Sequence, residues 1–285
     1  VAEVAAAAAR LHRADPSPLV GHLTATDAVA GLRSVADLIG GVGPALELGL
    51  RWIETRPPPA VRPRVVHGDL RLGNLLVTEE PGEHGHLSAV LDWEMAHLGD
   101  PAEDLGWLCV RASRFGSPLP VAGLGERDAL LAAYADAGGE PIDRGRLHWW
   151  EVYGTIRWGV ICRAQGAAHL HGLTRSHELA AVGRRVAQVE HDLLLLIGGA
   201  RPTDDPVDPD DLVPSERTTP PHDRPTAAEL VDAVREWLAD EVVPGQGGRL
   251  RFDAGGAAGA LAVAGREPAL APAHARRHEA RLAAV

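Results

Sequence analysis

The sequence predicts a mainly helical α+β fold, with a few short strands gathered in one segment. The chain has 285 residues, 45% of them apolar and 24% charged, which is typical of a globular protein with one large domain or two smaller ones. Short apolar runs bounded by Gly, Pro and acidic residues occur between residues 65 and 92 and predict strands. On both sides of that segment, apolar residues recur at helical spacing and predict helices.

The charge and the cysteine content narrow the class of protein. The formal net charge of −11 argues against nucleic acid or a membrane surface as a partner, although a local positive site could still bind a polyphosphate. All 28 basic residues are arginines, so chemistry that needs a lysine from these residues is excluded. Cys109 and Cys162 are too few for a disulfide framework or a four-cysteine zinc site. We therefore expect the reducing environment of the cytoplasm. No apolar run approaches the roughly 20 residues of a bilayer span.

Helices are predicted on the N-terminal side of the strands. Residues 1–12 are rich in alanine, the strongest helix former, and this pattern ends before Pro16. Residues 26–55 carry apolar positions at helical spacing, interrupted by the sequence Gly-Gly-Val-Gly-Pro at 40–44. The three prolines at 57–59 stop this helical region, because proline cannot continue a helix.

Three short strands are predicted in the middle segment, at residues 65–66, 75–77 and 89–91. The Pro- and Gly-containing stretch at 81–85 separates the last two. Since Gly and Pro between two apolar runs are typical of turns, we expect these two strands to form a hairpin.

The C-terminal part is predicted to be helical again. Apolar patterns predict a helix near 126–134, a long tryptophan-rich helix over 147–169 and another over 179–197. Residues 200–225 hold seven prolines and seven acidic residues, the composition of a linker that cannot bury a core. We therefore expect a first domain over 1–199 that ends at this linker.

A small helical domain of unknown role is predicted over residues 226–285. Thr226 and Glu229 have the spacing of a capping box, in which each side chain bonds a backbone amide at the start of a helix. The following stretch at 250–270 contains several glycines and Pro268. Because each interior glycine costs about 1 kcal/mol of helix stability, a helix there depends on packing support.

Two motifs carry the chemistry. The first is the 67–74 loop, which reads His67-Gly68-Asp69-Leu70-Arg71-Leu72-Gly73-Asn74, and the second is the 91–94 motif, which reads Leu91-Asp92-Trp93-Glu94. A carboxylate beside a substrate hydroxyl can accept its proton, while an amide oxygen and a second carboxylate are hard ligands of the kind that Mg²⁺ prefers. This set favours phosphoryl transfer, in which catalysis consists mostly of positioning and charge neutralisation.

These motifs resemble those of a known family. The 67–74 loop resembles the catalytic loop of the aminoglycoside phosphotransferases, which are protein-kinase-like small-molecule kinases. The 91–94 motif is similar to the family's metal-binding motif, and residues 99–105 are similar to the segment that follows it. The resemblance extends over residues 1–199 and implies a protein-kinase-like C-terminal lobe with a small catalytic hairpin.

The resemblance also implies roles for individual residues. Asp69 corresponds to the catalytic base, and Asn74 and Asp92 to the ligands of the Mg²⁺ that accompanies ATP. Arg71 stands where related kinases have a basic residue that contacts the transferred phosphate. Glu94 could reach the surroundings of the metal or point to solvent, and the two alternatives are equally weighted.

Two further residues correspond to structural support of the site. His67 is expected to be a hydrogen-bonded histidine without a catalytic role, and Asp104 to brace the 67–74 loop through backbone hydrogen bonds. The long tryptophan-rich helix borders the substrate cleft in this family, so Glu151 and Arg157 are candidates for lining a pocket.

The resemblance covers the C-terminal lobe only. Family members hold the nucleotide with an N-terminal lobe that contains a small sheet and a lysine, and the first 66 residues here predict no such lobe. Three interpretations stay open: a truncated kinase with an incomplete ATP site, a kinase whose missing lobe comes from a separate polypeptide or an upstream segment, and a non-catalytic kinase-like binding module. The expected partner is a small molecule with a hydroxyl group; aminoglycosides, choline-like alcohols, sugars and hydroxyacyl thioesters all fit.

Overall fold

A computed structural model describes residues 1–19, 21–25, 27–78, 85–174, 176–198 and 227–283. These residues form two units. The first contains residues 1–163 and 186–198, and the second contains residues 164–185 and the C-terminal residues from 227 onward. The predicted linker at 200–225 lies outside the described residues, so the domain boundaries at 199 and 226 stay predictions.

The elements follow the expected order of helices, strands and helices. The helices are α1 (Ala2–His12), α2 (Ala28–Leu38), α3 (Pro44–Glu54), α4 (Ala102–Cys109), α5 (Arg127–Asp136), α6 (Arg144–Leu170), α7 (His177–Gly183), α8 (Val186–Gly198), α9 (Ala227–Trp237), α10 (Val243–Gly245) and α11 (Gly248–Ala283). The strands are β1 (Arg64–Val66), β2 (Leu75–Thr78), β3 (His86–Val90) and β4 (His97–Gly99). Short 3₁₀ turns occupy Ser17–Leu19, Leu72–Asn74, Trp93–Met95 and Arg111–Arg114, and Leu238–Val242 is a π-helical turn.

The strands form two antiparallel pairs. β2 pairs with β3, with Leu75 opposite Val90, which is the predicted hairpin; of its predicted loop, only Gly85 lies in the described residues. β1 pairs with β4, with Val66 opposite His97. The sequence pattern did not predict β4, because three residues are too few to show an alternation. The architecture confirms the predicted mainly helical α+β class.

The core of the first unit explains the alanine-rich start of the chain. Val4, Ala5, Ala8 and Ala9 are buried on one face of α1, at the spacing that places residues on the same side of a helix. This face belongs to a buried cluster with residues of the 67–74 loop and of α4, α5 and α6: Leu70, Leu105, Leu108, Cys109, Leu130, Tyr134 and Leu147. Because alanine has a short side chain, α1 lies close to the loop that carries the first motif.

Helices α4 and α6 approach each other closely at two glycines. A methyl group on Gly106 of α4 would lie 2.6 Å from the backbone carbonyl carbon and the Cβ of Trp150 on α6. A methyl group on Gly154 of α6 would lie 3.1 Å from the ring of Trp107 on α4. Each helix therefore presents a bare backbone to an indole-bearing residue of the other, and side chains on both helices reach the 67–74 loop.

The second unit contains one long helix in place of the marginal helix expected at 250–270. α11 runs without a break through Pro268 and Pro272. It packs on α9 and α7, and the ion pairs Arg184–Glu267 at 2.8 Å and Arg249–Glu178 at 2.6 Å join it to the α7 segment. These tertiary contacts supply the packing support that the glycine-rich sequence lacks by itself.

The predicted helix at 179–197 is divided into α7 and α8. α7 ends at Gly183, a residue type that is costly inside a helix, and α8 begins at Val186.

Within the described ranges, no helix is long and apolar enough to cross a membrane. The cytoplasmic location stays a prediction.

The close contact of α4 and α6 makes the stability of the first unit sensitive to one methyl group. We expect Gly106→Ala to lower the free energy of unfolding by about 2–3 kcal/mol, because the new Cβ overlaps the backbone of α6. The matched control is Gly31→Ala in α2, where no atom lies within 4 Å of the new Cβ. That change should be neutral or stabilise by up to about 1 kcal/mol through helix propensity. Urea unfolding measures both, and a G106A variant as stable as the wild type would contradict the close contact.

Candidate active site

The 67–74 loop is anchored by one buried carboxylate. Asp104, in the first turn of α4, accepts hydrogen bonds from the backbone nitrogens of His67 at 2.8 Å and Gly68 at 2.9 Å. It accepts a third from Nε2 of His12 on α1, at 3.0 Å. Asp104 is fully buried, so these donors replace the water that its charge would otherwise require. Asp104 therefore makes backbone hydrogen bonds to the loop, of the kind that the family resemblance implies.

The electrostatics of Asp104 follow from these contacts. Burial by itself raises the pKa of its carboxyl group, because it disfavours the charged form. The hydrogen bonds from His12 and from the backbone of His67 and Gly68 outweigh burial and hold the pKa below its ordinary value. The anchor is therefore an ionised carboxylate at neutral pH.

His67 connects the two motifs through its ring. Its Nδ1 accepts a hydrogen bond from the backbone nitrogen of Asp69 at 3.2 Å, and its Nε2 lies 2.9 Å from the carbonyl oxygen of Leu91. Because Nδ1 accepts, the proton lies on Nε2 and is donated to Leu91. The ring is fully buried and packs against Trp93 at a centroid distance of 4.6 Å. Both ring nitrogens therefore have backbone partners, and the structural role of His67 stays a prediction.

The carboxylate of Asp69 accepts hydrogen bonds from three side chains. Its Oδ2 accepts hydrogen bonds from Nδ2 of Asn74 at 2.8 Å and from Nε of Arg71 at 3.0 Å. Its Oδ1 accepts one from the indole nitrogen of Trp107 at 2.8 Å. The side chain keeps 18% of its surface exposed. The carboxylate is thus oriented from both sides and still accessible to a small molecule.

The predicted metal ligands lie at the same end of the hairpin. Asn74 immediately precedes β2, and Asp92 is the second residue after β3. The backbone nitrogen of Leu91 donates to the carbonyl oxygen of Asn74 at 2.8 Å, which extends the β2–β3 ladder to the residue before Asp92. The structure therefore brings together two residues that are eighteen positions apart in the chain.

The donor set at this end fits a magnesium ion. Nδ2 of Asn74 donates to the carbonyl oxygen of Asp69 at 2.9 Å as well as to its carboxylate, so the amide nitrogen is used and Oδ1 is the atom left for a cation. Asp92 is exposed and has the left-handed backbone conformation, with φ of 67°. Outside glycine this conformation is uncommon, although aspartate adopts it more readily than most residues. Two hard oxygen donors, with room for water and phosphate oxygens, match the coordination habits of Mg²⁺.

The remaining candidates divide into those that contact this group and those that do not. Arg71 is partly exposed and pairs with Asp69, and Glu94 is exposed beside Asp92. In the part of the chain that the structure describes, no cluster of three or more His, Cys, Asp or Glu side chains could hold a metal. The Asn74–Asp92 pair, which includes an amide, is the candidate cation site.

Glu151 lies in a separate, buried ion cluster. Its carboxylate is 1% exposed and pairs with Arg127, whose Nε lies at 2.9 Å, and with Arg114 at 3.2 Å. A cavity of about 320 Å³ adjoins this cluster, lined by Arg127, Arg144, His148, Glu151 and Leu196. The expectation that Glu151 lines a pocket agrees with this cavity, although none of the lining residues belongs to either motif.

Two residues join the site through tertiary contacts. Trp107 had no predicted role, yet it binds the carboxylate of Asp69. Its position three residues after Asp104 on one helix was the available signal, because residues at this spacing share a face. Arg157, expected at a pocket, donates from Nη1 to the carbonyl oxygen of Gly68 at 2.6 Å.

Comparison with known proteins agrees with the geometry of the two motifs. The sequence model of the phosphotransferase enzyme family, abbreviated APH, matches residues 1–150, which is more than half of the chain. The chain belongs to this family. Membership confirms the resemblance carried by the 67–74 loop and the 91–94 motif, and it assigns a phosphotransferase function in general terms.

Relatives extend this comparison to single proteins. A 67-residue stretch is 42% identical to acyl-CoA dehydrogenase family member 10 of Mus musculus, which covers 24% of this chain and 6% of the mouse protein. A solved structure from Ralstonia eutropha JMP134, provisionally classed as an aminoglycoside phosphotransferase, matches with a TM-score of 0.58 at 21% identity. That match covers 70% of this chain and 64% of the other. At this identity it shows the fold, which is that of the phosphotransferase family.

The buried anchor makes a specific prediction for stability. We expect Asp104→Asn to lower the free energy of unfolding at neutral pH by about 3 kcal/mol, because the loop amides and His12 lose a charged acceptor. Since the folded pKa lies below the ordinary value of 3.8, the stabilisation by Asp104 is complete above that value and is lost as the pH falls through the folded pKa.

Chemical denaturation across neutral and acidic pH measures both effects. The control is Asp136→Asn, the same chemical change at an exposed position of α5, which should alter stability by less than about 0.5 kcal/mol. If Asp104→Asn unfolded in acid with the same profile as the wild type, the role of this carboxylate would be contradicted.

Proposed function

We propose that this chain provides the catalytic lobe for Mg²⁺-dependent transfer of the γ-phosphoryl group of ATP to a hydroxyl group of a small molecule. The observation that carries the proposal is the arrangement of Asp69, Asn74 and Asp92. An accessible carboxylate is held by the amide nitrogen of Asn74, and the amide oxygen is left beside the hairpin end that bears Asp92. Family membership supports the reaction class.

Asp69 acts on the acceptor hydroxyl. Its carboxylate binds and orients the O–H group and accepts its proton as the oxygen bonds to the γ-phosphorus. The bond between that phosphorus and its bridging oxygen breaks, and ADP leaves. Positioned general-base catalysis of this kind contributes about 10²- to 10⁴-fold to the rate, and the three hydrogen bonds that orient Asp69 keep the carboxylate ready for this geometry.

Asn74 and Asp92 would hold the cation, and Mg²⁺ bound there would supply charge neutralisation for the phosphate oxygens. Asn74 has a second task, because its Nδ2 fixes the Asp69 carboxylate. A single side chain therefore links the position of the base to the position of the cation. Arg71, whose guanidinium already lies beside Asp69, would offset the charge on the group in transfer.

The mouse relative supplies a reason to order the candidate acceptors. Its name places the matching 67-residue segment in a protein of the acyl-CoA dehydrogenase family. We therefore put hydroxyacyl thioesters first among the acceptors to test, followed by aminoglycosides, choline-like alcohols and sugars.

The nucleotide site requires a further component. The 285 residues contain no lysine, and the described residues before the 67–74 loop form three α-helices, a 3₁₀ turn and strand β1. We therefore propose that a nucleotide-binding lobe outside these 285 residues, on a separate polypeptide or an upstream segment, completes this site. The chain alone is expected to transfer phosphate slowly, and faster when such a lobe is fused or added.

The assignments of base and ligands can be separated with paramagnetic Mn²⁺ in place of Mg²⁺. In the ¹⁵N-labelled chain with ATP, we expect Mn²⁺ to broaden the amide signals near Asn74 and Asp92 first. Asn74→Ala or Asp92→Asn should raise the Mn²⁺ concentration needed for the same broadening by about tenfold or more. A loss of affinity of this size is typical of a disturbed metal site. Asn also tolerates the left-handed backbone at position 92, so Asp92→Asn tests the charge and keeps the conformation.

Asp69→Asn should behave in the opposite way. It should keep the Mn²⁺ broadening. In the chain with a nucleotide-binding lobe fused or added, the lobe-complemented protein, it should lower phosphate transfer by about 10²- to 10⁴-fold. Glu241→Gln, a surface change in the second unit, is the control that should alter neither quantity. Mn²⁺ broadening without transfer to any acceptor class would favour the non-catalytic binding module, and broadening centred elsewhere would contradict the proposed ligands.

A further inference from the structure

We propose that Arg157 and Trp107 are positioning residues for Asp69, and that they direct its Oδ1 atom toward the acceptor hydroxyl. The inference rests on the proposed function for its catalytic consequence. It rests on the structure for the contacts themselves, which connect α6 to the carboxylate through α4.

Trp107 is the direct contact. Its indole nitrogen donates to Oδ1 of Asp69 at 2.8 Å, and the ring is 8% exposed. Gly154 on α6 lets the two helices come close enough to confine the ring, since a methyl group there would lie 3.1 Å from it. A confined indole holds its N–H in one direction, so the hydrogen bond sets the orientation of the carboxylate.

Arg157 contacts both the backbone of the 67–74 loop and the ring of Trp107. Its Nη1 donates to the carbonyl oxygen of Gly68, the residue before Asp69, at 2.6 Å. Its guanidinium carbon lies 4.7 Å from the centre of the Trp107 ring, within the range of a cation–π interaction. One cation therefore contacts the backbone that precedes Asp69 and the ring that binds the Asp69 side chain.

The charge on Arg157 is compensated nearby. The side chain is 12% exposed, and its Nη1 lies 4.0 Å from Oε1 of Glu103, which is itself buried. Glu103 also accepts a hydrogen bond from His97 at 3.1 Å. The carboxylate of Glu103 therefore offsets part of the charge of the guanidinium that lies over the ring.

These contacts distinguish the two oxygens of Asp69. Oδ2 accepts two hydrogen bonds, from Arg71 and Asn74, whereas Oδ1 accepts one, from Trp107. A carboxylate oxygen can accept two hydrogen bonds, so among the contacts of the described residues Oδ1 has a position left. The acceptor hydroxyl binds there, in a direction set by the indole.

A residue with a purely structural role would affect folding and not the orientation of the Asp69 carboxylate. Asp104 is an example of such a residue. Asp104 binds the backbone nitrogens of His67 and Gly68 and so fixes the path of the loop. Trp107 binds the carboxylate and leaves the path of the loop to Asp104. Loss of Trp107 should therefore disturb catalysis more than nucleotide binding.

The first experiment measures the contacts without activity. The indole N–H signal of Trp107 in the ¹H–¹⁵N spectrum is assigned by its disappearance in Trp107→Phe. We expect this signal to move in Asp69→Asn, because the acceptor changes from a carboxylate to an amide, and to move and broaden in Arg157→Ala. Arg157→Lys should restore it in part, since lysine keeps a cation but not the planar group over the ring. Arg10→Lys, an exposed change on α1, should leave it unmoved.

The second experiment measures transfer in the lobe-complemented protein. We expect Trp107→Phe and Arg157→Ala to lower kcat between about 10- and 100-fold, the scale of a small misplacement of a reacting group, while the KM for ATP changes less than threefold. Arg157→Lys should recover part of kcat. Trp237→Phe, at an exposed position of the second unit, should change neither constant.

The outcomes separate this inference from the proposed function. If the indole N–H signal did not move in Asp69→Asn, the inference would be overturned, whether or not the protein transfers phosphate. Unchanged kcat in Trp107→Phe, in a protein that transfers phosphate, would also overturn it. If the indole signal responds as expected but the wild type phosphorylates no acceptor, the positioning contacts are supported and the proposed function fails.

Discussion

The carboxylate of Asp104 is fully buried, and such a charge is tolerated only where hydrogen bonds replace its hydration. Here the replacement comes from His12 and from two successive backbone nitrogens of the 67–74 loop. The electrostatic requirement of one side chain therefore dictates the course of the loop, and the residue next to the bonded amides is Asp69. It also connects α1 to the loop, because His12 of that helix donates to the same carboxylate.

The second constraint is the distance between α4 and α6. Glycines at 106 and 154 remove the side chains that would keep the helices apart. As a result, Trp107 and Arg157, which are fifty positions apart, meet each other and the 67–74 loop. Helix packing and the orientation of the candidate base are thus parts of one arrangement, and a packing change at either glycine would be felt at Asp69.

Local sequence predicted the parts of the site that lie close together in the chain. The 67–74 loop identifies Asp69, Arg71 and Asn74, and the hairpin pattern brings Asp92 beside them. The structure agrees with the predicted hairpin, since β2 and β3 pair as expected. Strand β4 and the continuous helix α11 were not predicted, because each depends on a partner distant in the chain. β4 exists through its pairing with β1, and α11 is supported by α7 and α9.

By itself, the sequence determined the fold class, because this class follows from local patterns. The two motifs indicated the family by resemblance and pointed to the candidate site residues. The sequence also excluded any contribution of lysine from these residues. Only the tertiary structure decided which groups bind the carboxylate of Asp69, and which of its oxygens accepts fewer hydrogen bonds from the described residues. That decision depends on the separation of α4 and α6, a distance set by packing between helices and not encoded in any single stretch of the chain.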